Sequence, residues 1–249
     1  MPMGPTTAYI YHDHLRHNIA LIREAVGSRK IMAVVKANAY GHGDVEVAQT
    51  ALSAGCEYLG VAFVEEGVRL RQAGISAPIL VFGAQLTEFM DVAIDHDLEL
   101  TITSMDQIAR LKTINRPVSV HLKLDTGMNR VGFSTDQFER AVTEAMKIPH
   151  IMINGIYSHL ATADEADTDF AALQISRFEK IQNNLKDVLP GEVLFHLANS
   201  AAIMKFPQAY FDMVRPGIML YGQPPSVEFE LDWQLKEVMS LRSRLGLIK

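Results

Sequence analysis

Lys36 closes an apolar run in Ile31-Met32-Ala33-Val34-Val35-Lys36-Ala37-Asn38-Ala39-Tyr40-Gly41-His42-Gly43. Burial at such a strand end lowers a lysine pKa, and the neutral amine is the form that attacks a carbonyl to give a Schiff base. A lysine that merely snorkels to solvent would look the same in this stretch, so the loop alone leaves both readings open. Further along, Asp125-Thr126-Gly127-Met128-Asn129-Arg130 ends in a guanidinium whose planar fork suits a carboxylate, with the Met128 backbone as a second contact. Lys123 lies seven residues before Arg130. Two cations brought into one cavity would repel. Ser158-His159 and Asn199-Ser200, the latter in His196-Leu197-Ala198-Asn199-Ser200, follow apolar runs, and Arg215-Pro216-Gly217-Ile218 interrupts the last one, adding histidines, hydroxyls and a second arginine.

Eight such runs occur, at 31–35, 58–62, 79–82, 98–102, 118–124, 152–157, 193–197 and 213–220. Segments of helical spacing separate them, for example Leu15, Ile19, Ile22 and Val26 on a helix starting near Asp13, or Phe170, Leu173, Ile175, Phe178 and Ile181. Alternating strands and helices make a parallel sheet, and eight units in 249 residues match an α/β fold of the (β/α)₈ TIM-barrel type, 1–222. An open doubly wound sheet has the same periodicity. The barrel makes the sharper demand, because its chemistry gathers after the C-terminal strand ends, where Lys36, Asp125 to Arg130, His159 and Asn199-Ser200 cluster.

Composition removes other classes. With 23 basic and 29 acidic residues the net charge is -6, which gives no positive field for nucleic acid or an anionic membrane. No run of eighteen apolar residues and no cationic, apolar leader is present. The single cysteine, Cys56, excludes an intramolecular disulfide and points to a reducing, cytoplasmic setting. His12, His14 and His17 lack a carboxylate to complete a metal set and are expected mostly to face solvent, so no metal is expected. Gly41-His42-Gly43 has neither the spacing nor the length of a phosphate-binding or dinucleotide loop, and Gly55 and Gly74 read as helix C-caps.

The lysine loop, the Asp125 to Gly132 turn, Ser158-His159-Leu160-Ala161-Thr162-Ala163-Asp164-Glu165, His196 to Ala202 and Met213-Val214-Arg215-Pro216-Gly217-Ile218 together resemble the alanine racemases, in that family's order, from Asp13 onward. The resemblance implies a fold-type III pyridoxal 5′-phosphate enzyme interconverting L- and D-alanine for peptidoglycan, working as a homodimer. It implies that Lys36 holds the cofactor covalently and serves as a catalytic acid/base on the D face. Tyr40 and Ser200, with the backbones of Ser200, Gly217 and Ile218, would bind the phosphate, and Asn199 would help. Arg215 would face the pyridine nitrogen with His196 behind it, and His159 would pack near the cofactor. Arg130 and Met128 would take the substrate carboxylate, and Lys123 would be carbamylated to buttress Arg130.

The family is also similar to a barrel followed by a β-rich domain, whose copy in the partner subunit carries the opposing catalytic tyrosine. Residues 223–249 read as a linker and the opening strand of such a domain, which would make this chain an inactive barrel fragment. Tyr9-Ile10-Tyr11-His12 departs from the usual start of the family's barrel. The alternatives are a single-domain pyridoxal-phosphate homeostasis protein, or a decarboxylase or other amino-acid racemase of the same fold. Arg215 and the full Lys36 to Gly43 signature argue against the decarboxylase.

Overall fold

Strands and helices alternate throughout the computed structural model, which describes residues 5–84, 86–226 and 233–245. β1 (Thr6–Ile10) and α1 (His12–Val26) lead into β2 (Lys30–Val34), the short turn α2 (Lys36–Gly41) and α3 (Asp44–Ser53). Then come β3 (Tyr58–Val61), α4 (Val64–Gln72), β4 (Ile79–Val81), α5 (Thr87–Asp95), β5 (Glu99–Ile102) and α6 (Met105–Leu111). β6 (Val118–Lys123), α7 (Thr135–Met146), β7 (Ile151–Tyr157), α8 (Asp169–Leu185), β8 (Leu194–His196) and α9 (Ser200–Lys205) follow. A 3-10 turn (Pro207–Ala209), β9 (Met213–Val214), a second 3-10 turn (Ile218–Tyr221) and β10 (Met239–Ser243) complete the described elements.

β2 to β9 form one parallel sheet in the order β8-β7-β6-β5-β4-β3-β2-β9. Backbone bonds bring its two ends together: Asp212 N donates to Phe195 O and Arg215 N to Ala198 O, each at 2.9 Å. The Asp212 carboxylate accepts the Phe195 N–H at 2.8 Å, which supplies a bond that the two-residue β9 cannot. The sheet is therefore a nearly closed eight-stranded (β/α)₈ barrel rather than an open sheet. Helices seal its outside. In α1, Leu15, Ile19, Ile22 and Val26 are fully buried, each contributing roughly 1.5–3 kcal/mol of burial.

Three expectations need correction. The run 213–220 is strand only at Met213–Val214, because Arg215, Pro216 and Gly217 break the ladder and the chain continues as a 3-10 turn. On α8, Phe170 and Leu173 are exposed, and the buried stripe is Ala171, Gln174, Ile175, Phe178, Ile181 and Leu185. His12, His14 and His17 are half-buried rather than solvent-facing. His14 and His17 bond the carbonyls of Glu237 and Gln234 at 2.6 and 2.9 Å, while His12 meets Thr50 Oγ1 at 2.8 Å.

Segment 233–245 packs back on α1. The fully buried Asn18 donates to the carbonyls of Leu220 and Lys236 and accepts the Lys236 N–H. β1 and β10 pair antiparallel outside the barrel, Thr6 opposite Ser243. Residues 227–232, most of the expected linker, and 246–249 lie outside the described residues. No described helix is long and apolar enough to cross a membrane.

Candidate active site

A cavity of about 660 Å³ opens at the C-terminal ends of the strands. Its walls bring together Lys36 after β2, Lys123 at the end of β6, Arg130 in the loop that follows, Tyr157 and His159 at the end of β7, Asn199 and Ser200 after β8, and Arg215, Gly217 and Ile218 after β9. Residues separated by up to 182 positions thus share one mouth because every parallel strand delivers its C-terminal end to the same side.

Lys36 is half-buried, and burial together with the nearby Arg130 lowers its pKa, against an opposing pull from Glu66. The chain leaves it through an unusual path. Ala37, Asn38, Ala39 and Tyr40 all have φ between 51° and 54°, so α2 winds left-handed, at a cost of about 1–2 kcal/mol per non-glycine residue. Glu66 on α4 braces this turn: its Oε1 accepts the Ala37 N–H at 2.6 Å, and its Oε2 accepts those of Ala62 and Phe63. Such stored strain holds the residues on either side of the turn in fixed places.

Tyr40 meets the far wall across Gly217. A Cβ at Gly217 would stand 2.7 Å from the Tyr40 hydroxyl, so only glycine admits this approach. Ser200 Oγ accepts the Gly217 N–H at 2.9 Å and retains its own proton for a ligand. Asn199 caps α9 by accepting the Ala202 N–H at 3.0 Å. Tyr40, Ser200, Gly217 and Ile218 thus form one donor-rich corner.

The opposite half is cationic. Asp125 Oδ1 accepts the N–H groups of Gly127 and Asn129 and shapes the turn that carries Arg130. Arg215 is buried, with Nη1 2.8 Å from His196 Nδ1, and with Nη2 donating to the carbonyls of Ser158 and Leu197 at 2.7 and 3.0 Å. Burial brings its pKa down to about 10, so it stays charged at neutral pH. Burial and then Arg215, with further cations behind it, depress His159 and Lys123 well below their ordinary values. Two lysines, Lys36 and Lys123, and two arginines, Arg130 and Arg215, face Asp164 as the one carboxylate among the described lining residues.

His196 stands behind the wall and bonds Arg215, whereas Met128 does not line the cavity, because the turn presents Arg130 and Val131 instead. Phe63, Phe82, Tyr157 and Asp164 belong to the wall without having been singled out in the sequence. Tyr157 had a signal, since it ends the run immediately before Ser158-His159. The two phenylalanines had none beyond following their strands.

A profile of the family described as alanine racemase, N-terminal domain, matches residues 10–225. The alanine racemase of Carboxydothermus hydrogenoformans is 38% identical over 255 residues, covering 99% of this chain and 68% of that protein. The structure of alanine racemase from Clostridium difficile 630 in complex with cycloserine superposes with a TM-score of 0.94 at 35% identity, over 100% of this chain and 70% of the other. That of alanine racemase from Bacillus anthracis with bound L-Ala-P gives 0.90 at 34% identity, over 97% of this chain and 64% of the other. The chain thus spans about two thirds of the length of these relatives.

Proposed function

Since the chain belongs to the alanine racemase family and carries its N-terminal barrel, we propose that this mouth binds pyridoxal 5′-phosphate and interconverts L- and D-alanine. The observation that carries the reading is the basic lining around the desolvated Lys36: Lys123, Arg130, Arg215 and a hydroxyl-rich corner face a single carboxylate. That donor set fits a phosphate at Tyr40, Ser200, Gly217 and Ile218 and a substrate carboxylate at Arg130. Room for the phosphate at Gly217 depends on the missing Cβ.

When bound, the cofactor supplies a carbonyl that condenses with amines and a conjugated ring that spreads the charge left at Cα. Lys36 would hold it through Nζ, and the same amine would take or return the Cα proton on one face. Its lowered pKa makes the neutral, proton-accepting form easier to reach than in a free lysine. Arg130 orients the alanine carboxylate. Arg215 offers the ring nitrogen a hydrogen bond without a transferable proton, which limits charge withdrawal into the ring and favours return of the proton to Cα. His159, kept neutral by burial and neighbouring cations, packs beside the ring without adding charge. In Lys123, the same surroundings favour a carbamate that would pair with Arg130. The group acting on the opposite face is assigned to a second subunit of a homodimer, in a cytoplasmic enzyme that supplies D-alanine for peptidoglycan. The domain boundary is assigned near residue 222, after the barrel.

The test is exchange of the alanine Cα proton in D₂O. Protein loaded with pyridoxal phosphate should exchange D-alanine, and Lys36→Ala should lose at least about 10²-fold of the rate. An unchanged rate in Lys36→Ala would remove the reading.

A further inference from the structure

Behind the mouth, the barrel interior holds a continuous file of polar side chains that leads to Arg215. Asn154 on β7 donates to Glu99 Oε1 at 2.8 Å. Glu99 Oε2 on β5 lies 2.7 Å from His121 Nε2 on β6, and His121 Nδ1 lies 2.8 Å from His196 Nε2 on β8. His196 Nδ1 completes the file at 2.8 Å from Arg215 Nη1. Glu99, His121, His196 and Arg215 are all buried, at 6% exposure or less.

One member fixes the direction of every bond. A guanidinium has only donors, so His196 Nδ1 must accept. His196 therefore carries its proton on Nε2 and donates to His121 Nδ1. By the same logic His121 carries its proton on Nε2 and donates to Glu99. A doubly protonated His196 would set an N–H against the Arg215 N–H, and burial and then the Arg215 charge hold its pKa well down. Burial pushes the Glu99 carboxyl up, while the bonds from His121 and Asn154 and the charge of Arg71 pull it down. The file is two neutral rings of one tautomer strung between a buried anion and a buried cation.

We propose that Glu99 and His121 are positioning residues for Arg215: the carboxylate sets the tautomer of both histidines and thereby keeps an acceptor locked on the Arg215 Nη1 edge that fixes the guanidinium at the mouth. This rests on the reading of Arg215 as the partner of the cofactor ring. Glutamine at 99 would undo the device at nearly constant volume. Its amide can present N–H to His121 Nε2, which moves the His121 proton to Nδ1, the His196 proton to Nδ1, and an N–H against Arg215.

The experiment is ¹⁵N NMR of histidine-labelled protein, cofactor-free and cofactor-loaded, beside Glu99→Gln. In the native protein both His121 and His196 should show a pyridine-like Nδ1 and a protonated Nε2. In Glu99→Gln a protonated Nδ1 should appear on His196, and kcat for alanine should fall about 10-fold or more, as for other residues that orient a primary ligand, with KM changed less. A protonated Nδ1 on either ring of the native protein overturns the proposal, even if the variant does not fold. So does a variant whose tautomers shift while kcat and the cofactor absorption stay fixed. Native tautomers as expected in a protein whose Lys36 takes no cofactor would instead remove the functional reading, and with it the purpose given to the file.

Discussion

Lys123 Nζ stands 4.2 Å from the centre of the Tyr157 ring. The ring face is worth about 0.5–2 kcal/mol to an ammonium, which does not replace a carboxylate. Burial, Arg215 and Arg130 all oppose the charge of Lys123, with only Asp125 pulling the other way, and its pKa is well below the ordinary lysine value. The cationic wall therefore pushes the side chain toward its neutral, nucleophilic amine.

Such an amine should react with carbon dioxide, forming an N–C bond and releasing one proton, to give a carbamate anion beside Arg130. In ¹³C-bicarbonate the protein should show a carbamate resonance that Lys123→Met lacks. A native spectrum with no such resonance would reject the modification.

The cofactor-free barrel should lose stability on acidification from about pH 7 to about pH 5. His196 is fully buried, and its folded pKa lies well below its ordinary value, while the unfolded imidazole takes a proton near about pH 6.5. The unfolded state then binds more protons, so stability is complete above that pH and falls below it, by up to about 1.4 kcal/mol per pH unit for one such histidine. Urea midpoints at pH 7 and pH 5.5 check the sign. Equal midpoints would contradict a neutral, buried His196.

Gly217→Ala should weaken cofactor binding more than folding, since the new methyl meets the Tyr40 hydroxyl rather than the backbone of another strand. Losing a hydrogen bond to a charged group costs about 1.5–3 kcal/mol, so Gly217→Ala and Tyr40→Phe should each raise the pyridoxal phosphate Kd about 10- to 100-fold. Fluorescence titration measures it, and unchanged Kd values in both would exclude this corner as the phosphate site.

The barrel was legible in the sequence because eight apolar runs, alternating with segments of helical spacing, leave few parallel folds open. The mouth was legible for the same reason, from Lys36 through Arg215. What the sequence hid was contact between distant strands. Glu99 and His121 sit inside runs whose apolar character marks them only as core, and their pairing follows from register across β5 and β6, where Thr101 faces His121 and Leu100 faces Val120. The left-handed turn after Lys36 was hidden because alanine and tyrosine carry no signal for positive φ. Short β1 carries too few alternating residues to reveal β10 as its partner, 229 or more positions away.

Replacing Arg215 with Glu should lower racemisation by about 10²- to 10³-fold, the usual cost of removing an aligned donor, and raise transamination, because a carboxyl partner can deliver a proton to the ring nitrogen. Pyruvate released from alanine is the readout. No rise in pyruvate would count against Arg215 as the ring-nitrogen partner.

The most direct measurement of the central claim is covalent capture. Protein incubated with pyridoxal phosphate, reduced with borohydride and digested should yield one phosphopyridoxyl peptide carrying Lys36, lost in Lys36→Ala and weakened in Gly217→Ala. Label that falls on other lysines, or persists undiminished in Lys36→Ala, would contradict the account.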